Sequence, residues 1–315
     1  MMDWTDRHCR YFHRLLSAHA RLYTEMVVAQ AAIHGDRERL LGFSAQEHPL
    51  ALQLGGSDPL LLAQAARIGA DFGYDEINLN CGCPSDRVQK GRFGACLMRE
   101  PALVADCVSA MRAVVPAQVP VTVKCRLGVD DDDSFDFLLH FIDTIAQAGC
   151  TVFIVHARKA WLSGLSPKQN REVPPLDHGR VIALKRLRPG LTIVLNGGLD
   201  ALAGVAALAD SGLDGVMLGR AAYHLPLLLA QLEQRWFEGP EPDAHAILAP
   251  LAAYIDTQVA RGTSPNAVLR HVLDLFAGQP GARRFRQLLT GVREWQGGKP
   301  LKDAVAAMRV VALAA

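Results

Sequence analysis

The sequence predicts an α/β protein: a (β/α)8 TIM-type barrel whose first strand is missing, followed by a small C-terminal helical bundle. Seven short stretches rich in Val, Ile and Leu alternate with helical stretches, which is typical of a parallel sheet covered on both faces. The chain has 315 residues, half of them hydrophobic, enough for one large domain with a smaller companion. After Pro242 the pattern becomes entirely helical.

The elements are predicted in order from hydrophobic periodicity and from cap and turn residues. The strands lie at residues 21–28, 49–54, 76–80, 120–126, 151–157, 192–196 and 215–218. A helix follows each strand, at residues 29–41, 58–70, 101–115, 134–148, 177–187, 200–210 and 221–234. Seven β/α units favour a barrel over a doubly wound sheet. The first element is a helix at residues 6–17, so the strand that should precede it is missing.

The last quarter of the chain is predicted to be a separate, basic domain. Residues 239–242 (GPEP) have the composition of a linker, so we expect domains at 1–238 and 239–315. Four helices are predicted in the second, at residues 244–261, 265–276, 282–292 and 301–314. From Arg261 onward nine Lys or Arg residues stand against three acids, a net charge of +6 in a chain of net charge +1. This favours a polyanionic partner, with a solvated helical face as the alternative.

The composition argues against several classes of protein. No apolar run reaches the roughly 18 residues of a membrane span, and no signal peptide precedes Asp3. The seven cysteines form no C-x-x-C pair, which favours reduced thiols in a cytoplasmic protein. The acids at 130–133 are interpreted as solvated, helix-capping charge rather than as a metal site. We therefore expect no membrane, no metal ion and a monomer.

Cys83 is the first candidate for catalysis, because it follows the strand at 76–80 and lies between Gly82 and Pro84. This position suits a reactive thiol at the mouth of a sheet, although a buried, inert cysteine is the common alternative. The other strand ends also carry polar or glycine residues, which favours the catalytic interpretation. They are Gln53, Asn80, Lys124, Arg126, His156, Arg158, Asn196, Gly197, Gly198, Gly219 and Arg220.

The glycine-rich turns after the last two strands predict a phosphate site. Backbone N–H groups can approach a phosphate closely at Gly197, Gly198 and Gly219, and Arg220 adds a positive charge. No G-x-G-x-x-G motif follows a strand, so a Rossmann dinucleotide site is not indicated. A ligand such as FMN or a sugar phosphate fits this pattern.

A flavin would explain three further residues. Lys124 could stabilise the negative charge that the pyrimidine edge of a flavin gains on reduction, and Gln53 could hydrogen-bond to the same edge. A thiol has a reference pKa near 8.5, so Cys83 could act as a general acid at neutral pH.

The sequence resembles the tRNA-dihydrouridine synthases in long, ordered motifs. These are NLNCGCPSDRVQKGRFGACLM together with QLGG, VKCRLG, VHAR, NGG and VMLGR. The A-type branch of the family is indicated by MMDWTDRH, LYTEM, NREVPPL and VLRHVLDLF. The resemblance runs from Met1 to about residue 290, and it implies an FMN-binding barrel followed by a helical domain that binds tRNA.

The resemblance implies an enzyme that reduces uridine in tRNA to 5,6-dihydrouridine with FMN and NADPH, at D-loop positions 20 and 20a in standard tRNA numbering. Hydride passes from reduced FMN to C6 of the uracil, and Cys83 rather than Cys81 protonates C5. The implied flavin contacts are Met2, Asp3, Gln53, Lys124, His156, Asn196, Gly197, Gly198, Gly219 and Arg220. The expected substrate contacts are Asn80, close to the base, and Arg126, Arg158, Lys168, Arg171, Arg270 and Arg283.

One departure and two alternatives accompany this interpretation. Family members should carry a strand ending in proline before Met1, and a sheet without it has two unpaired edges. Without that strand we expect poor solubility and weak flavin binding. An FMN-dependent reductase of a small-molecule enone or pyrimidine needs no basic tail. A non-catalytic RNA-binding barrel needs neither Cys83 nor Lys124.

Overall fold

The computed structural model of the chain describes residues 1–313, with the side chains of Arg87 and of residues 309–313 left aside. Seven parallel strands form a sheet whose order in space is their order along the chain. They are β1 (Leu22–Val28), β2 (Leu50–Gly55), β3 (Glu76–Asn80), β4 (Val121–Arg126), β5 (Val152–His156), β6 (Thr192–Asn196) and β7 (Gly215–Met217). All seven strands were predicted, and the α/β fold class is confirmed.

The register of the sheet brings the ends of neighbouring strands level with one another. Asn80 pairs with Lys124, Arg126 with His156, and His156 with Asn196. Parallel strands end at the same edge of a sheet, so these side chains come together there. We call this end of the sheet the barrel mouth.

Among the described residues β1 and β7 are the edge strands, and Met1 lies between them. The Met1 amine and the backbone N–H of Asp3 both lie near the Glu25 carboxylate in β1. The Met1 sulfur is 3.5 Å from the position that a Cβ on Gly219, just beyond β7, would occupy. The sheet therefore curls until its two edges approach each other, as in a barrel.

Helices α1 to α11 accompany the sheet. They are α1 (Arg7–Leu16), α2 (Ala29–His34), α3 (Arg37–Leu41), α4 (Pro59–Phe72), α5 (Asp86–Lys90), α6 (Pro101–Arg112), α7 (Phe135–Gln147), α8 (His178–Leu187), α9 (Leu202–Ala206), α10 (Arg220–His224) and α11 (Leu227–Phe237). The apolar sides of most of these helices pack with the strands into one large cluster, the barrel core, which includes Tyr74, Phe141 and Phe153. No helix in the described part of the chain is long and apolar enough to cross a membrane.

Several helices differ from their predicted bounds for local reasons. The helix predicted at 29–41 is interrupted at Gly35, because the Asp36 carboxylate accepts the N–H of Arg39 and starts α3. The helix predicted at 221–234 is divided at Pro226, which has no N–H to continue the helical ladder. The helix predicted at 200–210 is reduced to α9 and a 3-10 turn, and the short α5 was not predicted.

The acids at 130–133 were interpreted as solvated, helix-capping charge; Asp131 and Asp132 are exposed, but the capping part of this interpretation was wrong. Asp132 and Asp133 form ion pairs of 2.6 and 2.8 Å with Arg99 and Lys159. The cap of α7 is Ser134, whose hydroxyl accepts the N–H of Phe137. The acidic loop therefore connects neighbouring loops at the barrel mouth.

The tail contains α12 (Leu248–Ala260), α13 (Pro265–Leu269), α14 (Ala282–Thr290) and α15 (Lys299–Leu313). The last helix was predicted to reach residue 314, which lies outside the described residues. These helices share a second apolar cluster, the tail core, with Phe12 and Leu16 of α1 and with Ala222 and Leu229 of α10 and α11. The proposed division at residue 238 stays a prediction, because this cluster takes side chains from both sides of it.

Candidate active site

Cys83 lies in the loop between β3 and the next helices, at the barrel mouth. The Asn80 side-chain oxygen accepts two backbone N–H groups, from Gly82 at 3.0 Å and from Cys83 at 2.9 Å. The Cys83 carbonyl in turn accepts the N–H of Ala95 at 2.9 Å. The segment 81–95, which we call the thiol loop, is therefore held at both ends while the Cys83 side chain stays partly exposed.

Gly94 shows why the thiol loop needs glycine at that position. Its φ is +77°, and a Cβ there would lie 2.5 Å from the Cys83 carbonyl oxygen. Both the left-handed backbone and the close approach exclude a larger residue without displacement of the loop. The glycine in the FGA sequence is thus a condition for the position of Cys83.

Cys81 differs from Cys83 in its surroundings. Cys81 is fully buried in the barrel core, and burial raises its pKa well above the ordinary value. A buried thiol of this kind has no access to a substrate at the mouth. The Cys83 sulfur, by contrast, is partly exposed and lies 3.5 Å from the Ser85 hydroxyl. The geometry supports the prediction that Cys83, of these two residues, is the acid.

Lys124 and His156 carry polar groups at the mouth that the other described side chains leave without a hydrogen bond. Burial lowers the pKa of the Lys124 ammonium to about 8, the Arg126 guanidinium acts in the same direction, and no carboxylate is among the charges that act on it. Burial also holds the pKa of His156 well below its ordinary value, with Arg126 and Lys124 contributing, so the ring is neutral. Among the described residues its Nδ1 atom is buried without a hydrogen-bond partner.

The turn after β6 packs against the His156 ring. A Cβ on Gly197 would lie 2.9 Å from a ring carbon of His156, and one on Gly198 would lie 2.2 Å from a methyl group of Leu176. Both glycines have positive φ, +107° and +71°. Asn196, before them, donates to the Met217 carbonyl at 2.8 Å. Only glycine fits this turn, and backbone N–H groups can approach a ligand closely there.

These groups fit a flavin phosphate of the kind the sequence predicts. The buried Nδ1 of His156, which no described residue satisfies, needs a hydrogen-bond partner, since an unsatisfied buried polar atom is costly. Lys124 offers a positive charge beside it, and the turn at Gly197 and Gly198 offers backbone close to the ring. Arg220, the predicted phosphate contact, donates to the Glu172 carboxylate at 2.6 Å, so this charge is partly neutralised.

Two residues predicted from the N-terminal motif and one from β2 lie at the same end. Asp3 is exposed with φ +63°, and Met2 is also exposed. Gln53 is partly buried and accepts the Asn80 amide at 2.7 Å through its own side-chain oxygen. The structure thus connects Gln53 to the thiol loop, a contact that the sequence does not indicate.

The predicted tRNA contacts fall into two groups. Arg126 is buried and donates to three carbonyl oxygens, those of Gly82 (2.8 Å), Lys159 and Asn170 (3.0 Å each), so its direct role is to join the thiol loop to the loop after β5. Arg158 donates to the Pro174 carbonyl in the same loop. Lys168 and Arg171 are exposed on that loop.

The predicted contacts in the tail are also unequal. Arg270 donates to Asp6 at 2.6 Å, and Asp6 is the residue that caps α1. Arg283 is exposed and lines an open groove on α14 with Arg286, Gln287, Thr290 and Gly291. Arg270 therefore joins the tail to the N-terminal segment, whereas Arg283 is available to solvent.

Sequence reasoning missed the polar residues inside the barrel. Glu76, Asn78 and Thr122 are buried and hydrogen-bonded to one another below Gln53. A signal was present, because residues 76, 78 and 80 alternate with Ile77 and Leu79 in EINLN. In a strand covered on both faces, regular alternation places all three polar residues on one side of the sheet.

Comparison with known proteins identifies the family of the chain. The family model described as Dihydrouridine synthase (Dus) matches residues 1–310. The chain is 60% identical over 290 residues to a protein of Xanthomonas axonopodis pv. citri (strain 306) named tRNA-dihydrouridine(20/20a) synthase, covering 92% of this chain and 86% of that protein. It is 56% identical over 290 residues to a protein of the same name from Vibrio cholerae, covering 91% and 88%.

The relative from Xanthomonas campestris pv. campestris has the same name and is 62% identical over 291 residues, covering 92% of this chain and 86% of that protein. Both the family model and relatives at this identity span nearly the whole described chain, which confirms the resemblance seen in the motifs. The chain therefore belongs to the dihydrouridine synthase family and is an enzyme of that family.

Proposed function

We propose that the enzyme reduces uridine in tRNA to 5,6-dihydrouridine, at positions 20 and 20a of the D-loop, with FMN as its cofactor and NADPH as the reductant. The observation that carries the proposal is the partly exposed Cys83 thiol, held at the end of β3 by Asn80. The names of the relatives supply the substrate, since each contains tRNA-dihydrouridine(20/20a). The cytoplasm, where tRNA is modified, fits an enzyme with seven reduced cysteines.

FMN, when bound, would supply a hydride to C6 of the uracil. Cys83 then donates its proton to C5 of the uracil. The two hydrogen bonds from the thiol loop to Asn80 fix the direction from which this proton arrives. His156, Lys124, Gly197 and Gly198 would hold the flavin. Lys124 would place its positive charge where the pyrimidine edge becomes negative.

The uracil must leave the stacked tRNA to reach a thiol at the barrel mouth, as in other enzymes that act on a base. Arg158, Lys168 and Arg171 are at the rim of the mouth, where they would contact phosphates on either side of the extruded nucleotide. Arg283 lies on the tail, where it would contact a more distant part of the tRNA. Such contacts supply affinity and register without reading sequence.

The test is to incubate the purified protein with NADPH and tRNA that lacks the modification, and to measure dihydrouridine by mass spectrometry. Cys83→Ala should lower the rate by about 10²- to 10⁴-fold, the usual contribution of a general acid. Cys81→Ala is the matched control, because it removes a thiol two residues away that is buried, and it should leave the rate within a few-fold.

Each outcome has a defined meaning. Product from the wild type with little from Cys83→Ala supports both the reaction and the acid. Equal product from both proteins would move the proton donor to another residue. No product from flavin-loaded protein would contradict the proposed substrate and favour reduction of a small molecule.

A further inference from the structure

A continuous row of hydrogen-bonded side chains runs through the barrel interior from Glu76 to the thiol loop. Thr122 donates to the Glu76 carboxylate at 2.6 Å, and Asn78 donates to Thr122 at 2.8 Å. Gln53 donates to Asn78 at 2.9 Å, and Asn80 donates to Gln53 at 2.7 Å. We call these five residues the amide ladder. It begins at the first residue of β3 and ends beside Cys83.

The two ends of the ladder determine the direction of every bond in it. At the bottom, the Glu76 carboxylate can only accept, and Arg21 and Tyr23 also donate to it at 2.7 Å each. At the top, the backbone N–H groups of Gly82 and Cys83 can only donate. A row between an acceptor and two donors has one consistent arrangement, in which each amide presents its oxygen towards the thiol loop.

The bottom of the ladder is a fixed acceptor. Burial raises the pKa of Tyr23 well above its ordinary value, and the Glu76 carboxylate acts in the same direction, so this hydroxyl keeps its proton and donates. The Arg21 guanidinium supplies a second, charged donor to the other carboxylate oxygen. Glu76 itself is 3% exposed and is therefore not available to a ligand.

Burying these polar side chains inside a barrel costs free energy unless they are hydrogen-bonded. Glu76, Asn78 and Thr122 are all buried, where barrels are usually filled by Val, Ile and Leu. A buried polar group stabilises the fold only when it is fully paired, and a fully paired network fixes one unique arrangement. The ladder therefore contributes positional precision more than it contributes stability.

We propose that Glu76 is a positioning residue, whose carboxylate orients the amide ladder so that the Asn80 oxygen faces the thiol loop and fixes Cys83. Glu76 acts through Thr122, Asn78 and Gln53 and touches neither substrate nor cofactor. The effect on the position of the loop stands on the geometry alone, whereas its effect on catalysis rests on the proposed function of Cys83.

The first test disconnects Glu76 from the rest of the ladder at Thr122. Thr122→Val keeps the shape of the side chain and removes the hydroxyl, and Thr122→Ser restores the hydroxyl. Hydrogen–deuterium exchange, resolved to single amides by mass-spectrometric fragmentation, is measured at Gly82 and Cys83 in the purified full-length protein. We expect exchange about tenfold faster in Thr122→Val and close to wild type in Thr122→Ser, since the hydroxyl that bonds to both Glu76 and Asn78 is lost and regained.

A stability control separates the ladder from general loosening. Val123→Ala removes apolar bulk from the neighbouring position of β4, which is fully buried and outside the ladder. It should lower the melting temperature without selective acceleration at Gly82 and Cys83. Unchanged exchange at these amides in Thr122→Val, or equal acceleration in Val123→Ala, would overturn the proposal.

A second variant covers the case in which Thr122→Val does not fold. Glu76→Gln keeps the size of the side chain and replaces the carboxylate by an amide that can donate as well as accept, so the bottom of the ladder no longer fixes a direction. As in Thr122→Val, amide exchange at Gly82 and Cys83 should be faster than in the wild type. Wild-type exchange in this variant contradicts the proposal.

The catalytic consequence is measured by separating the two half-reactions. Reduction of the flavin by NADPH should proceed at the wild-type rate in Thr122→Val, whereas its reoxidation by tRNA should slow about tenfold, because the proton donor is misplaced. Thr122→Ser should restore the wild-type rate of flavin reoxidation by tRNA. If the wild type is not reoxidised by tRNA, the proposed function fails while the exchange experiment still decides the role of Glu76.

Discussion

The two sides of the barrel mouth differ in how their polar groups are satisfied. On the side of β2 and β3, each member of the amide ladder from Glu76 to Asn80 has a partner. On the side of β4, β5 and β6, the described residues leave a buried nitrogen of His156 without a partner, and they place no carboxylate beside Lys124. On the first side the polar groups are paired with one another and hold the thiol in place. On the second side they are left for a ligand to bind.

The largest effect on stability is expected from removing hydrogen bonds of the amide ladder. Asn78→Leu keeps the branched shape of the side chain in a larger residue, and it removes one hydrogen-bond partner from Gln53 and one from Thr122. The free energy of unfolding should fall by about 2–4 kcal/mol, because two buried side chains each lose one hydrogen bond. Urea denaturation of the flavin-free protein measures this loss.

The matched control lies on the opposite side of the mouth. His156→Leu should change the free energy of unfolding of the flavin-free protein by less than about 1 kcal/mol, since the buried ring nitrogen it removes has no partner in the described part of the chain. A loss as large as that of Asn78→Leu would mean that the two sides do not differ in this way.

A substitution at Lys124 tests the side of the mouth whose polar groups are proposed to bind the flavin. Lys124→Met removes the charge and keeps an unbranched chain, and it should weaken FMN binding by about 10- to 100-fold, the range of a charged hydrogen bond. Fluorescence titration of the flavin measures the dissociation constant. Equal affinity in both proteins would remove Lys124 from the flavin contacts.

The difference in stability between the wild type and Lys124→Met should depend on pH. Burial lowers the pKa of Lys124 from its ordinary value of 10.5 to about 8, so the unfolded chain binds more protons than the folded chain between these two values. The stability of the flavin-free wild type relative to Lys124→Met should therefore rise with pH in that window. Parallel denaturation curves at pH 7.5 and pH 10, about the ends of the window, test the sign.

The smallest effect concerns Arg220, whose charge is shared with Glu172. Glu172→Gln removes the competing carboxylate and should tighten FMN binding by about two- to fivefold, because partly exposed ion pairs contribute at most about 1 kcal/mol. The melting temperature of the flavin-free protein should hardly change. Weaker binding in this variant would show that Glu172 orients Arg220 for the phosphate rather than competing for it.

The residues at the strand ends could be predicted because parallel strands place their carboxyl ends at one edge. Gly197, Lys124 and His156 all follow from this rule. Other features depend on contacts between distant parts of the chain, which no local pattern contains. Arg126 was expected to face tRNA but turns inward to three carbonyl groups, and the pairing of Arg270 with Asp6 joins residues 264 positions apart.

Helix ends were the least predictable part of the fold. Asp36 and Pro226 are both visible in the sequence, but whether such residues divide a helix depends on the packing on either side of them. The amide ladder was hidden for another reason. Polar residues inside a barrel look like ordinary alternation in the sequence, and only their neighbours on β2 and β4 distinguish a network from a solvent-facing strand.

The position of Phe12 and Leu16 in the tail core has a consequence for protein engineering and for evolution. Because α1 belongs to the N-terminal part of the chain but packs with the tail helices, the tail is not an interchangeable module. A chimaera that receives the tail of a relative would have to receive α1 and the facing sides of α10 and α11 as well. Changes of tRNA preference within the family should therefore be accompanied by matching substitutions in these three helices.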